Sequence, residues 1–245
     1  MEKLVYVLWK RPDQDVAALR DDLLGVRAEE LRELGARGLA LSIADEHVAY
    51  AQGSVISQLK EPITATLSFW LDTHLDRDPL EAVLRNVAER VAGYLVSESV
   101  PIVNTTQRAK PGERTPGTNS IGFLEKPDSL AYEEWLELWQ GRHTRVAIET
   151  QSTFLYIQNA VIRPLTTDAP PWVAIVEEGF PTDAFTDQKV FYAAGDSDEK
   201  LNENRGRMIE SCRRFIEFDH LESHVFSQYV LEDGIAKRRE GEAIG

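Results

Sequence analysis

Leu8-Trp9-Lys10-Arg11-Pro12-Asp13 ends one strongly apolar segment, and Phe123-Leu124-Glu125-Lys126-Pro127-Asp128 ends another in the second half of the 245-residue chain. In both, a run of aliphatic and aromatic residues stops at a Pro-Asp turn, which reads as a strand leading into a helix. The strand over residues 3–9 precedes Val16, Leu19, Leu23, Val26, Leu31 and Leu34 at helical spacing, with Gly35 as C-cap. Strands are expected over 37–48 and 64–72, a proline-started helix over 79–95 with Leu80, Val83, Leu84, Val87, Val91 and Leu95 on one face, and a short strand over 99–105.

The second turn is followed by the same order. Strand 119–125, helix 129–148, strands 152–163 and 172–178, a helical region over 182–217 broken near Gly195-Asp196, and strand 220–231 complete it. Strand-helix-strand-strand-helix-strand is the split βαβ order in which two helices cover one face of an antiparallel sheet. The expected class is therefore α+β: two tandem ferredoxin-like βαββαβ repeats, residues 1–107 and 118–232, forming an intramolecular dimeric α/β barrel. Residues 108–117, rich in Pro, Gly and Thr, read as a linker, and 233–245 as a mobile tail with no apolar face to pack. Each sheet has one face without helices, and pairing the two in one chain buries both.

The helix over 129–148 holds the main chemical clue. Ser129 stands where an N-cap belongs, Glu133 and Glu134 lie near the positive end of the helix dipole, and Arg142 and Arg145 lie near its negative end. Trp135, Trp139, His143 and Ala147 recur every four residues on one face. His143 reads either as a histidine at the core edge bonded to the backbone, or as a general acid or base in a pocket, since its ordinary pKa suits proton transfer at neutral pH. Aligning the two turns sets Arg27 opposite His143, so only the second repeat carries the histidine.

Trp135 and Trp139 beside His143 are candidate substrate-binding residues that would exclude water and stack on a ring, and two further groups join them. Tyr156 and Gln158, with Asn159 and Arg163, lie on the strand after this helix; His220, Glu222 and His224 share one strand face by alternation. The last three read as a divalent metal site, a pocket wall or an exposed strand end, and metal ligation is the weakest of these readings.

Composition bounds the rest. With 42% hydrophobic and 28% charged residues the chain has enough apolar material for a large core, and a net charge of −14 without a basic patch argues against nucleic acid or an anionic membrane as partner. Cys212 is the single cysteine, so no intramolecular disulfide forms, and a cytoplasmic location is expected. No secretory leader and no membrane span is expected. A Gly-rich phosphate loop, a G-x-S-x-G elbow, a C-x-x-C pair and an H-E-x-x-H helix are all missing.

The segment Tyr132-Glu-Glu-Trp135-Leu-Glu-Leu-Trp139-Gln-Gly-Arg-His143, after a strand and a Lys-Pro-Asp turn, resembles the EthD family of dimeric α/β-barrel proteins. The resemblance implies a barrel with one motif-bearing and one degenerate half, within a fold group of cyclases, dehydratases, decarboxylases, small monooxygenases and haem-binding proteins. The resulting expectation is a cofactor-independent lyase or isomerase in which His143 moves a proton on an aromatic or polyketide-like compound. A non-catalytic carrier of an aromatic metabolite and a haem-binding barrel remain as alternatives. The expected partner is a small hydrophobic or aromatic molecule, and a homo-oligomer is compatible with the sequence.

Overall fold

A computed structural model describes residues 1–232. The tail over 233–245 lies outside the described residues. Eight strands are present: β1 (Glu2–Trp9), β2 (Arg37–Ile43), β3 (Ala65–Leu71), β4 (Arg90–Ile102), β5 (Thr118–Leu124), β6 (Leu155–Pro164), β7 (Ala174–Phe180) and β8 (Glu222–Val230). Every pairing is antiparallel, and the strands close into one barrel in the order β1-β3-β2-β8-β5-β7-β6-β4. The first four strands are contiguous in it, in the order β4-β1-β3-β2, and the last four in the matching order β8-β5-β7-β6. Two seams join the halves, β2 on β8 and β4 on β6.

Alternation divides the core into three layers. Residues facing into the barrel include Val5, Val7, Trp9, Tyr94, Ile121, Phe123, Ile175 and Phe226. Outside the first half, Leu4, Tyr6, Leu41, Leu67 and Phe69 are covered by α1 (Val16–Leu24), α2 (Val26–Glu33) and α3 (Asp78–Val87). Outside the second half, Leu124, Tyr156, Ala174 and Val176 lie under α4 (Tyr132–Leu136), α5 (Thr144–Thr150) and α7 (Asp198–Cys212), with the short α6 (Gln188–Phe191) beside them.

Several expected boundaries move, each for a local reason. The first helix breaks at Gly25 into α1 and α2, and Gly35 at φ +96° closes the pair as Ala36 N–H donates to Leu31 C=O and Gly35 N–H to Arg32 C=O. β2 ends at Ile43 rather than 48, because the Asp45 side chain caps a 3₁₀ turn over Glu46–Ser54. The helix expected over 79–95 ends at Val87, and the strand expected over 99–105 is the end of the thirteen-residue β4. Val87, Val91 and Leu95 are four apart, a spacing that keeps residues on one side of a strand as well as of a helix. Pairing with β1 and β6 makes this stretch a strand, and within it Gly93 lies under the Tyr6 ring, where a Cβ would come within 2.5 Å. Residues 108–117 do not hang free: Gly112 N–H donates to Val230 C=O and Thr115 N–H to Gln228 C=O, so this segment runs along β8.

The key helix also departs from the expected form. Ala131, not Ser129, is its N-cap, and Glu137–His143 forms a π-helical segment between α4 and α5, with Thr144 N–H reaching back to Trp139 C=O. Trp135, Trp139, His143 and Ala147 are nevertheless all buried. A pure α-helix rotates a four-residue stripe by about 40° at each step, and the wider π turns rotate it back, so the four side chains stay on the sheet side.

The aligned turns are one residue out of step. Thr64 N–H donates to Leu8 C=O and accepts from Ala44 N–H at its own C=O; Val173 does the same with Leu124 and Val161. Leu8 therefore matches Leu124, not Phe123. This agrees with their packing outside the barrel, whereas Trp9 and Phe123 face inward.

Candidate functional site

The matched hydrogen bonds allow the outward faces of the two half-sheets to be compared position by position. Leu4, Tyr6, Leu41, Leu67 and Phe69 in the first half correspond to Ser120, Gly122, Gln158, Val176 and Glu178 in the second. All five first-half residues are buried, and the Tyr6 ring stacks on Phe69 at 5.5 Å while its hydroxyl donates to Glu81. In the second half Ser120, Gly122 and Glu178 are only half-buried. The same layer of the fold is sealed with apolar side chains on one side and is polar and partly open on the other.

Glu178 dominates the polar side. Its Oε1 is buried and has no hydrogen-bond partner, and burial pushes its carboxyl up to about 7. Tyr156 is its direct cross-strand neighbour, and burial followed by the Glu178 charge raises that phenol well above its ordinary range. Gln158 donates through Nε2 to the Tyr156 hydroxyl at 3.1 Å and to Thr144 Oγ1 at 2.8 Å, which ties β6 to α5. Cys212 on α7 is raised to about 12, first by burial and then by Glu178, so it is a thiol and no nucleophile at neutral pH.

His143 belongs to this layer and not to the barrel interior, a correction to the expected barrel pocket. Helices lie outside the sheet, so a ring on their inner face meets the sheet's outer surface. Its Nδ1 is hydrogen-bonded with Ser211 Oγ of α7 at 2.9 Å, and Phe215 lies against the ring at 4.7 Å. With 6% exposure and burial as the cause, its pKa falls to about 4, and the ring is neutral at pH 7. Trp135 and Trp139 pack on each other at 5.0 Å, and Trp135 Nε1 donates to Phe215 C=O. Tyr156 and Gln158 are thus brought together with His143, Trp135 and Trp139. The surroundings of His143 do not fit a haem, because the ring is only 6% exposed and packed against Phe215, which leaves no open face for a macrocycle.

His220, Glu222 and His224 are not one set. β8 begins at Glu222, so His220 lies in a preceding 3₁₀ turn, exposed and bonded to Glu125. Glu222 and His224 face into the barrel, away from Glu178, and are buried with His224 Nε2 at 2.9 Å from Glu222 Oε2. Glu222 Oε1 accepts from Gln58 N–H and Leu59 N–H, and so holds the 55–63 loop across one barrel end. Among the described residues no three His, Cys, Asp or Glu side chains converge as a metal group. Asn159 also faces inward, where Lys3 Nζ donates to it at 2.9 Å and to Glu98 at 2.5 Å, while Asn159 Nδ2 donates to Glu177. Arg163 meets His74 at the surface, and Arg27 is taken by Asp22 and Glu30.

An open groove of about 710 Å³ lies between α3 and β4 of the first half and residues 165–168 of the second, beside Arg77, Glu81, Arg85, Arg90 and Asp168. Its cations are already paired, Arg77 and Arg85 with Glu81 and Arg90 with Asp168, which leaves no group free to recognise an anion there.

Sequence reading does not single out Glu178. The signal that could have found Glu178 is the Glu177-Glu178 pair inside an otherwise apolar strand: alternation sends one carboxylate to each face, and both faces of this sheet are covered.

No protein-family model matches the sequence, and no curated protein matches it. Solved structures do resemble the fold. An anthrone oxidase-like protein superposes with a TM-score of 0.50 at 11% identity, over 100% of this chain and 95% of its own. A dye-decolorizing peroxidase from Bacteroides thetaiotaomicron VPI-5482 superposes at 0.52 and 9% identity, over 94% and 93% of the two chains. A mutant chlorite dismutase from Candidatus Nitrospira defluvii gives 0.47 at 9% identity, over 94% and 92%. At such identities the likeness concerns fold alone, and it shows that this chain has the dimeric α/β-barrel architecture, closed within a single polypeptide.

Proposed function

We propose that the protein is a cofactor-independent enzyme that moves a proton on a small aromatic or polyketide-like compound, in the layer between β5–β7 and the helices of the second half. The observation that carries the reading is the buried, unpartnered Glu178 oxygen in a half-open polar layer whose first-half counterpart is sealed. A carboxyl held near pH 7 is matched to general acid–base work at neutral pH. Glu178 takes a proton from a carbon activated by a neighbouring carbonyl, the C–H electron pair moves onto the carbonyl oxygen as an enolate, and the protonated carboxyl returns the proton to another atom. Cyclisation, dehydration and isomerisation contain such a step, and decarboxylation shares its second half, since loss of CO₂ leaves an enolate that the protonated carboxyl can protonate at carbon. His143, neutral and bonded to Ser211, ties the start of α5 to α7; it is not the group that titrates.

The finer ancestry fits this reading. Matching strand order and matching corner hydrogen bonds support two tandem ferredoxin-like units that arose by duplication, and the Trp135-to-His143 segment supports an EthD-like second unit. One site per chain follows, because the first unit's layer is filled.

The test is proton exchange, which requires no knowledge of the later steps. Anthrone, the compound class in the name of one protein of this fold, is an aromatic ketone with acidic methylene hydrogens. Protein in D₂O is expected to speed loss of its methylene ¹H signal, with a rate that rises with pH through about 7 as Glu178 ionises. Glu178→Gln should reduce the catalysed rate by about 10²- to 10⁴-fold. Binding that quenches Trp135 and Trp139 fluorescence without exchange in the wild type would make the protein a carrier of aromatic compounds.

A further inference from the structure

Tyr6 and Gly122 occupy the same place in the two halves, two residues before Leu8 and Leu124 on the outward face. The Tyr6 ring leans over β4 at Gly93, where a Cβ would come within 2.5 Å of it, and stacks on Phe69 with an interplanar angle of 18°. In the second half Gly93 is matched by Ser223, which pairs with Gly122 as Gly93 pairs with Tyr6. A Cβ built on Gly122 meets nothing closer than Leu124 at 3.9 Å and Val176 at 4.0 Å, and Gly122, Ser223 and Glu178 are all half-buried. Glu178 stands where Phe69 stands, beside the ring position.

Resting on the function proposed above, we infer that the substrate is a compound with a flat aromatic ring, seated over Gly122 and Ser223 where the first half holds its own Tyr6 ring, and that Gly122 determines this specificity. The first half then shows the seat in its filled form: a ring flat on the sheet, its hydroxyl donated to a buried carboxylate, Glu81. In the second half the corresponding ring is absent from the chain, and the carboxylate beside the seat, Glu178, has an oxygen without a partner. Such an arrangement recognises a phenol or an aryl ketone by shape and by one hydrogen bond, and a long aliphatic chain would use neither.

Three variants test this with 2-naphthol as binding probe and anthrone as exchange probe. Gly122→Phe places a ring in the seat; it is expected to keep the wild-type thermal midpoint or exceed it, and to weaken 2-naphthol binding by roughly tenfold or more, the scale on which a filled pocket rejects its ligand. Gly122→Ala, which meets only ordinary contacts, is expected to bind within a few-fold of wild type. Glu178→Gln is expected to bind 2-naphthol and fail in anthrone exchange. If Gly122→Phe folds and binds 2-naphthol like the wild type, or fails to fold, the seat is not there and the inference falls. If Glu178→Gln still exchanges anthrone while Gly122→Phe does not bind, the seat stands and the assignment of Glu178 falls instead.

Discussion

Glu177 and Glu178 are neighbours in sequence and opposite in fate. Strand alternation turns Glu177 into the barrel, where Lys3 lies at 3.6 Å and Asn159 donates to it; Glu178 is turned outward under the helices, where its Oε1 finds no donor. Burial without a partner raises the Glu178 carboxyl from its ordinary value of 4.5 to about 7, so the folded state binds an extra proton between those limits. By linkage, the associated stability is fully present below about pH 4.5 and is lost as pH rises through 7. Glu178→Gln removes the titration. Its stability should match the wild type at pH 5 and exceed it at pH 8, by an amount approaching about 3 kcal/mol; scanning calorimetry at the two pH values checks the sign. An equal offset at both would show that Glu178 is not buried in the way described. His143 acts in the opposite direction, because its lowered pKa makes the fold lose stability as pH falls from about 6.5 to 4.

At the scale of elements, the π-helical segment Glu137–His143 is the feature that places His143 and Thr144 together over the sheet. π-bulges inside helices concentrate at functional sites because the extra residue re-aims the side chains that follow it. Inserting one alanine after Gly141 would advance α5 by about 100° relative to α4. The His143–Ser211 and Thr144–Gln158 hydrogen bonds would then be lost together with the Ala147 contact. We expect this variant to retain a β-rich circular dichroism spectrum but to lose anthrone exchange and to melt well below the wild type. The 3₁₀ turn over Glu46–Ser54 has a comparable positioning role at a seam: Asp45, which caps it, is buried and accepts from Ser227 Oγ and Tyr229 OH of β8, so a first-half turn is tied to a second-half strand.

At the scale of the molecule, the barrel closes only when the halves meet. β2 pairs with β8 and β4 with β6, and the enclosed layer draws Val5, Val7, Trp9 and Tyr94 from one half and Ile121, Phe123, Ile175 and Phe226 from the other. The Lys3 ammonium sits across the seam, held by Glu98 of its own half and by Asn159 and Glu177 of the other. A polypeptide of residues 1–107 would expose its share of that apolar face and leave Lys3 with one partner. It should therefore give a poorly dispersed ¹H–¹⁵N spectrum, while mixing it with residues 108–232 should restore dispersion. A dispersed spectrum from either half alone would contradict the view that the halves depend on each other. No helix among the described residues is long and apolar enough to cross a membrane.

The division between sequence and tertiary structure follows from the range of the forces involved. Strand and helix order, the two Pro-Asp turns, the Gly35 cap and the buried aromatic stripe from Trp135 to Ala147 are legible in the chain, because each is set by neighbours within a few residues. Where one spacing satisfied two periods, as at Val87, Val91 and Leu95, local pattern could not separate helix from strand. The long-range pairing of β4 with β1 and β6 separates them. The candidate site is less legible still. His143, Tyr156, Gln158 and the two tryptophans were marked by residue type, but which compartment they line depends on which side of the sheet the helices cover. Glu178 becomes chemically distinctive only through desolvation, and Gly122 only through the empty place that Tyr6 fills in the other half. Both properties belong to what surrounds a residue in space, and that is settled when the two halves fold against each other.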